Sequence, residues 1–302
     1  MRRMNLKKAA LLVVSGFGLF SVANYSAEVA GHREKKRIFE DGEFWVIAHR
    51  GFSGKYPENT MSAFRAATEL PIDALELDVH STRDGKIVVM HDAVLDRTTD
   101  RTGRIFDENW STLKQVDAGF MFDPDQNSTF PFRGKGIGIP LLEDVFREFP
   151  QMRFIIEIKQ ILPAIEEPIY RLIKKYQMED KVVIASESTE PLARFRSLAP
   201  TIPTNFSAQE SIAFYNSYRL HLINFYKGTG DALQIPPRFR GDQVVTPQFC
   251  RSAKKKGIVI HVWTVNDPDE MKQLIDYGVD GIITDFPDRL VELRRRKGDA
   301  AS

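Results

Sequence analysis

Beyond residue 44 the chain alternates between two kinds of segment. Short apolar runs read as strands: FWVIAH (44–49), ALELDV (74–79), KIVVMH (86–91), FIIEIK (154–159), KVVIAS (181–186), IPTNF (202–206), ALQIP (232–236), IVIHVWTV (258–265) and DGIITD (280–285). Most are separated by segments of helical spacing, such as TMSAFRAATEL, LLEDVFREF and DPDEMKQLIDYG. PAIEEPIYRLIKKYQ reads as helical despite Pro168, and SAQESIAFYNSYRLHLINFY reads as one helix with His221 inside it. Asn59 or Thr60 can cap the first of the helices. Apolar strands flanked by helices belong in a parallel sheet buried on both faces. About eight strand–helix units over about 250 residues match an α/β fold of the closed (β/α)8 TIM-barrel type. An open doubly wound sheet is the alternative. It is disfavoured because no G-x-G-x-x-G follows the first strand. Residues 92 to 140 are too long for a βα loop, which usually needs about 2 to 6 residues, so they form an insertion after the second strand unit.

Charge and termini bound the function. The formal net charge is +1. Removing Arg2, Arg3, Lys7 and Lys8 gives 1 − 4 = −3, so the body has no basic bias and nucleic acid is excluded as the main partner. Cys250 is the only cysteine; it reads as a small buried group on a helix. MRRMNLKK followed by apolar residues 9 to 23 and small residues has the form of an export signal or membrane anchor. The expected organisation is therefore signal or anchor at 1–30, a solvated linker or first turn at 31–43, and the barrel at 44–302. That places the barrel outside the cytoplasm, secreted or anchored, with a membrane as a possible partner through the N-terminus.

The strand ends carry the chemistry. Glu76 and Asp78 stand two apart, so both carboxylates share one strand face. Side by side they repel unless a cation or proton lies between them. Glu157 and Lys159 repeat the spacing at another strand end. Three acidic oxygens without thiolates suit one hard divalent cation, Mg²⁺ or Ca²⁺. His49 ends VIAH as His91 ends VVMH, and two such histidines can serve as general acid and general base. Other histidines have plainer readings. His32 lies in the polar linker, His261 lies one layer below Trp263 in the core, and His80 shares the phase of Glu76 and Asp78 but falls at a turn.

These residues resemble the glycerophosphodiester phosphodiesterases. The resemblance runs through His49-Arg50-Gly51, Pro57-Glu58-Asn59-Thr60, Glu76-Leu77-Asp78-Val79, Thr82-Arg83-Asp84-Gly85, Val88-Val89-Met90-His91-Asp92 and Leu95-Asp96-Arg97-Thr98-Thr99. It continues in Glu157-Ile158-Lys159, Trp263-Thr264-Val265-Asn266 and Gly281 to Pro287. It covers about residues 45 to 290 and is weakest between 186 and 245. It implies a (β/α)8 barrel with an insertion after the second strand unit, and hydrolysis of a glycerophosphodiester to an alcohol and glycerol 3-phosphate through a cyclic phosphate. It also implies His49 and His91 as the acid–base pair and Glu76, Asp78 and Glu157 as metal ligands. Arg50 and Lys159 are then phosphate-binding groups. Trp263 is expected to contact substrate, with Phe52 beside it in an apolar lip. Glu58 is expected to orient Arg50 or the metal shell, Asn59 to cap a helix and Asp285 to start one. Two alternatives remain: a lysophospholipase D, the same chemistry on lysophospholipids, and a non-catalytic phosphodiester-binding barrel. The latter would be marked by loss of a histidine or metal carboxylate, and none is lost.

Overall fold

The computed structural model describes residues 35–301, so the expected export or anchor segment lies outside the described residues. The strands among these residues are β1 (Trp45–His49), β2 (Ala74–Ser81), β3 (Ile87–Val89), β4 (Arg153–Ile158), β5 (Val182–Ala185), β6 (Ala232–Ile235), β7 (Arg238–Phe239), β8 (Asp242–Gln243), β9 (Val259–Val262) and β10 (Gly281–Thr284). Seven pair in parallel in the order β5-β4-β2-β1-β10-β9-β6. Parallel bridges from Ile184 to Thr204 and from Asn205 to Ala232 join the two edges through an eighth stave, closing the barrel. That stave is shorter than the strand expected over 202–206. Pro203 at its start has no N–H to contribute to a ladder.

Among the described residues, nine helices follow the strands or cover them: α1 (Met61–Thr68), α2 (Trp110–Leu113), α3 (Leu142–Glu148), α4 (Glu166–Lys175), α5 (Thr189–Leu198), α6 (Ala208–Arg219), α7 (Pro247–Lys255), α8 (Pro268–Tyr277) and α9 (Pro287–Ala301). Their starts are chemically marked. Thr60 accepts from the Ala63 amide and caps α1; Ser207 and Glu210 form a capping box on α6. The segment read as one helix over 207–226 breaks at Arg219. His221 takes a left-handed φ of 57° beyond the helix, and a 3-10 turn follows at Ile223–Phe225. Cys250 is buried on α7, and burial pushes its thiol up to about 11.

The two-residue period of the strands sorts the side chains into layers. Residues such as Val46, Leu75, Leu77, Ile156 and Ile260 face outward and pack under the helices. Trp45, Ile47, Ala74, Ile155, Val183, Ala232, Val259 and Ile283 fill the interior. The interior is closed at the amino-terminal end by Arg37–Phe39, a 3-10 turn within the stretch expected to be a linker or first turn. Phe39 is buried 5.3 Å from Trp45, which stacks on His261 at 5.3 Å. A Cβ at Gly281 would come within 2.9 Å of the His261 ring, so this stack requires glycine there. Complete burial holds His261 down at about 3, hence neutral.

The long connection is an insertion with its own small core. β3 runs antiparallel to β2, and Val88, Leu95, Ile105, Leu113, Val116 and Ile139 pack together beyond it.

The plug generates a prediction. A chain starting at residue 35 should unfold with the denaturant midpoint of the full chain. Phe39→Ala should destabilise by about 3 kcal/mol, the usual result of truncating a buried aromatic. A change below about 0.5 kcal/mol would show that the turn is not part of the core.

Candidate active site

β1 ends in a turn that only particular residues permit. Arg50 takes a left-handed φ of 55° and Gly51 follows at 82°. A Cβ on Gly51 would sit 2.7 Å from the Ala63 carbonyl carbon, so α1 packs directly on this glycine. The turn aims the Arg50 amide at Glu76, 3.0 Å from Oε2. It also brings the Arg50 guanidinium to Glu58 (2.9 Å) and Asp78 (3.2 Å).

Inward-facing positions at the carboxyl ends of β1, β2, β4, β9 and β10 then converge. Glu76, Asp78 and Glu157 place one oxygen each within 4.8 Å of one another. Lys159 lies 2.9 Å from Glu157 and 3.3 Å from Asp78. Asn59 donates to Asp78 Oδ2 at 2.8 Å. Asp78 Oδ1 and Glu157 Oε1 are buried, and both face the Lys159 ammonium. Burial and the neighbouring Asp78 push Glu76 up to about 8. Burial, with Asp78 nearby, also raises Glu157, against the pull of Lys159. Burial would raise Asp78 as well, but Lys159 and Arg50 outweigh it and hold it low. Three clustered hard oxygen donors and a carboxyl driven towards neutrality fit a divalent cation bound by Glu76, Asp78 and Glu157.

Each histidine is held by a carboxylate. His49 Nδ1 is 2.6 Å from Asp285 Oδ1, and His91 Nδ1 is 2.6 Å from Asp92 Oδ1. An ionised carboxylate only accepts, so each Nδ1–H donates and each Nε2 is left for chemistry. His49 Nε2 lies 3.9 Å from Glu76. Burial would lower His49, but the Asp285 hydrogen bond and Glu76 outweigh it and raise it above its ordinary value. Asp285 is held at about 2: burial is overcome by His49, Asn266 and Ser53. Asn266 donates to Asp285 Oδ2 at 2.7 Å and accepts from the Asp285 amide at 2.9 Å, fixing the carboxylate's orientation.

One cavity of about 740 Å³ is lined by His49, Arg50, Glu76, His91, Glu157, Lys159 and Trp263. Phe206, Ile212, Tyr215, Ile235 and Phe239 form its apolar lining, contributed by α6, β6 and the β7–β8 hairpin among others. Trp263 is 38% exposed. Three expectations need correction. Phe52 is buried in the core with α1 and does not line the cavity. Asn59, at a left-handed φ of 56°, holds Asp78, and the cap is Thr60. Asp285 is the partner of His49; it shares the inward phase of Gly281 and Ile283, the one signal in the sequence that marked it. His80 is buried, with Nε2 3.0 Å from the His91 carbonyl oxygen.

Residues 49–289 match the Glycerophosphoryl diester phosphodiesterase family. A glycerophosphodiester phosphodiesterase of Caldanaerobacter subterraneus subsp. tengcongensis is 35% identical over 258 residues, spanning 84% of this chain and 98% of that one. A lysophospholipase D of Rattus norvegicus is 28% identical over 286 residues, spanning 86% and 88%. A solved structure of an Oleispira antarctica phosphodiesterase, in complex with the product sn-glycerol-3-phosphate, is 27% identical with a TM-score of 0.64 over 81% of this chain and 94% of that one. The match runs from His49 into the last helix, α9, and the chain belongs to the glycerophosphoryl diester phosphodiesterase family.

Proposed function

We propose that this chain hydrolyses glycerophosphodiesters to an alcohol and glycerol 3-phosphate by metal-dependent acid–base catalysis. The observation that carries this reading is the pair of carboxylate-held histidines, His49 and His91, lining one cavity with Glu76 and Glu157 of the acidic triad. A bound Mg²⁺ or Ca²⁺ would neutralise phosphate charge and acidify a neighbouring hydroxyl. The residues supply the rest. Arg50, gripped by Glu58 and Asp78, turns its outer edge to the phosphate oxygens, and Lys159 adds a point charge. One histidine Nε2 accepts the proton of the glycerol hydroxyl as its oxygen attacks phosphorus. The other donates a proton to the departing alcohol as the P–O bond breaks. With roles reversed, water then opens the cyclic phosphate to glycerol 3-phosphate. Asp285 and Asp92 keep each imidazole in the productive tautomer.

The apolar lining from Ile212, Tyr215 and Phe239 supports a second reading, that lysophospholipids are also taken, with the chain against this wall. Residues 1–30 are proposed to export or anchor the barrel so that it acts outside the cytoplasm. No helix among the described residues is long and apolar enough to cross a membrane.

Three outcomes test these readings. Asp285→Asn should lower turnover by about 10²-fold or more, because an amide does not fix the Nδ1–H tautomer, while the thermal midpoint stays close to that of the wild type. Unchanged turnover would reject the pairing. Excess chelator should stop the reaction and lower the thermal midpoint, and Mg²⁺ or Ca²⁺ should restore both. A cation at 100 times its Kd stabilises by about 2.7 kcal/mol. Glu76→Gln and Glu157→Gln should need more metal, and full activity in chelator would reject the metal assignment. Choline release from lysophosphatidylcholine, compared with glycerophosphocholine, tests the apolar wall. Phe239→Asp should slow the lipid substrate selectively, whereas a protein inactive on the lipid takes only the soluble diester.

A further inference from the structure

Arg97 belongs to the insertion and lies outside the lining of the substrate cavity. Its guanidinium nevertheless makes four hydrogen bonds to two carboxylates that act on that cavity. Nε and Nη2 reach Asp92 Oδ2 and Oδ1 at 2.6 and 3.3 Å. Nη2 and Nη1 reach Glu58 Oε1 and Oε2 at 2.6 and 2.9 Å. Glu58 Oε1 is also 2.9 Å from Arg50 Nη1, and Asp92 Oδ1 is 2.6 Å from His91 Nδ1. The chain of contacts therefore runs Arg50–Glu58–Arg97–Asp92–His91.

We infer that Arg97 is a positioning residue, a planar tie that sets the phosphate-binding Arg50 and the proton-transferring His91 relative to one another. The inference rests on the roles proposed above for those two residues. The turn that carries Arg97 is itself anchored. Leu95 is buried in the insertion's core, and the buried Thr99 hydroxyl donates to the Leu95 carbonyl at 2.8 Å. The Arg97 side chain is 46% exposed, and ion pairs so exposed add little to stability. Its contribution is geometric. Four oxygens in two planes need a rigid fork, which an ammonium on a flexible stem does not supply. Without the fork, Asp92 and Glu58, which hold His91 and Arg50, each lose the partner that fixes them, and small displacements of reacting groups slow turnover steeply.

The test compares the full-length wild type with Arg97→Lys and Arg97→Gln on glycerophosphocholine, with kcat, KM and thermal midpoint measured on each. The expected result is a kcat lowered about 10- to 100-fold and a raised KM in both variants, at a midpoint within about 3 °C of wild type. Lysine should not rescue glutamine. Asp92→Asn combined with Arg97→Lys should lose no more kcat than the worse single variant, because the two act in series. Wild-type kinetics in Arg97→Lys would overturn the inference, as would multiplicative losses in the double variant or activity lost only in step with the midpoint. His91→Ala and Arg50→Lys run in the same assay separate the two levels. If those retain full turnover, the proposed roles fail. If they lose it while the Arg97 variants do not, only the role of Arg97 fails.

Discussion

The repulsion among Glu76, Asp78 and Glu157 is the constraint that the top of this barrel is arranged around. Charges no more than 4.8 Å apart repel by at least about 3 kcal/mol per pair at an effective dielectric near 20. Three such pairs approach the whole stability of a typical domain, about 5 to 15 kcal/mol. Three bare carboxylates are therefore not sustainable there, and the surrounding groups show how the charge is met. Lys159 and Arg50 bring positive charge, Asn59 brings an amide donor, and Glu76 moves up to about 8. Arg50 in turn needs its backbone bent left-handed and a counter-charge from Glu58.

A polar layer of this kind is tolerable because the layers below it are not polar. Phe39, Trp45 and the neutral His261 stack at the floor of the barrel, and Ile47, Ile155 and Val183 sit between that floor and the carboxylates. Outside the strands, two larger apolar clusters bind the helices to the sheet. The same two-residue period that sends Leu75 and Leu77 outward sends Glu76 and Asp78 inward. Fold and site are thus one pattern read in two phases, and shifting a strand by one residue would bury the carboxylates under helices.

That shared pattern explains what the sequence made legible. Strand positions followed from apolar runs, and the triad followed from carboxylates two apart at strand ends. His49 and His91 were visible as polar residues ending apolar strands. Their holders were less so. Asp285 lies 236 positions from His49, two residues before a proline that offered a local reading as a helix start. Asn59 sits next to Thr60, and either could cap α1; only the left-handed turn decides that Thr60 does and that Asn59 reaches Asp78. Phe52 follows the His49-Arg50-Gly51 turn, yet Gly51 packs so closely on Ala63 that the next ring is carried into the core. Each of these is a contact made by barrel closure, and no local spacing encodes closure.

The insertion shows the same division from the other side. Its length was evident from loop arithmetic, but length does not reveal what a loop does. Structurally it brings a second, smaller core to the rim, with Leu95 and Ile105 within it. None of that core's residues lines the cavity at the strand ends, yet it fixes the turn bearing Arg97, whose exposed side chain bridges Glu58 of the first βα loop and Asp92 of the inserted segment. Strand ends can set carboxylates to within the tolerance of the sheet. For His91, which lies beyond the antiparallel β3, β2 reaches only the backbone, through His80. The insertion adds a restraint from outside the barrel, so the two histidines are held by different parts of the fold: His49 by the end of β10 through Asp285, and His91 by the inserted unit through Asp92.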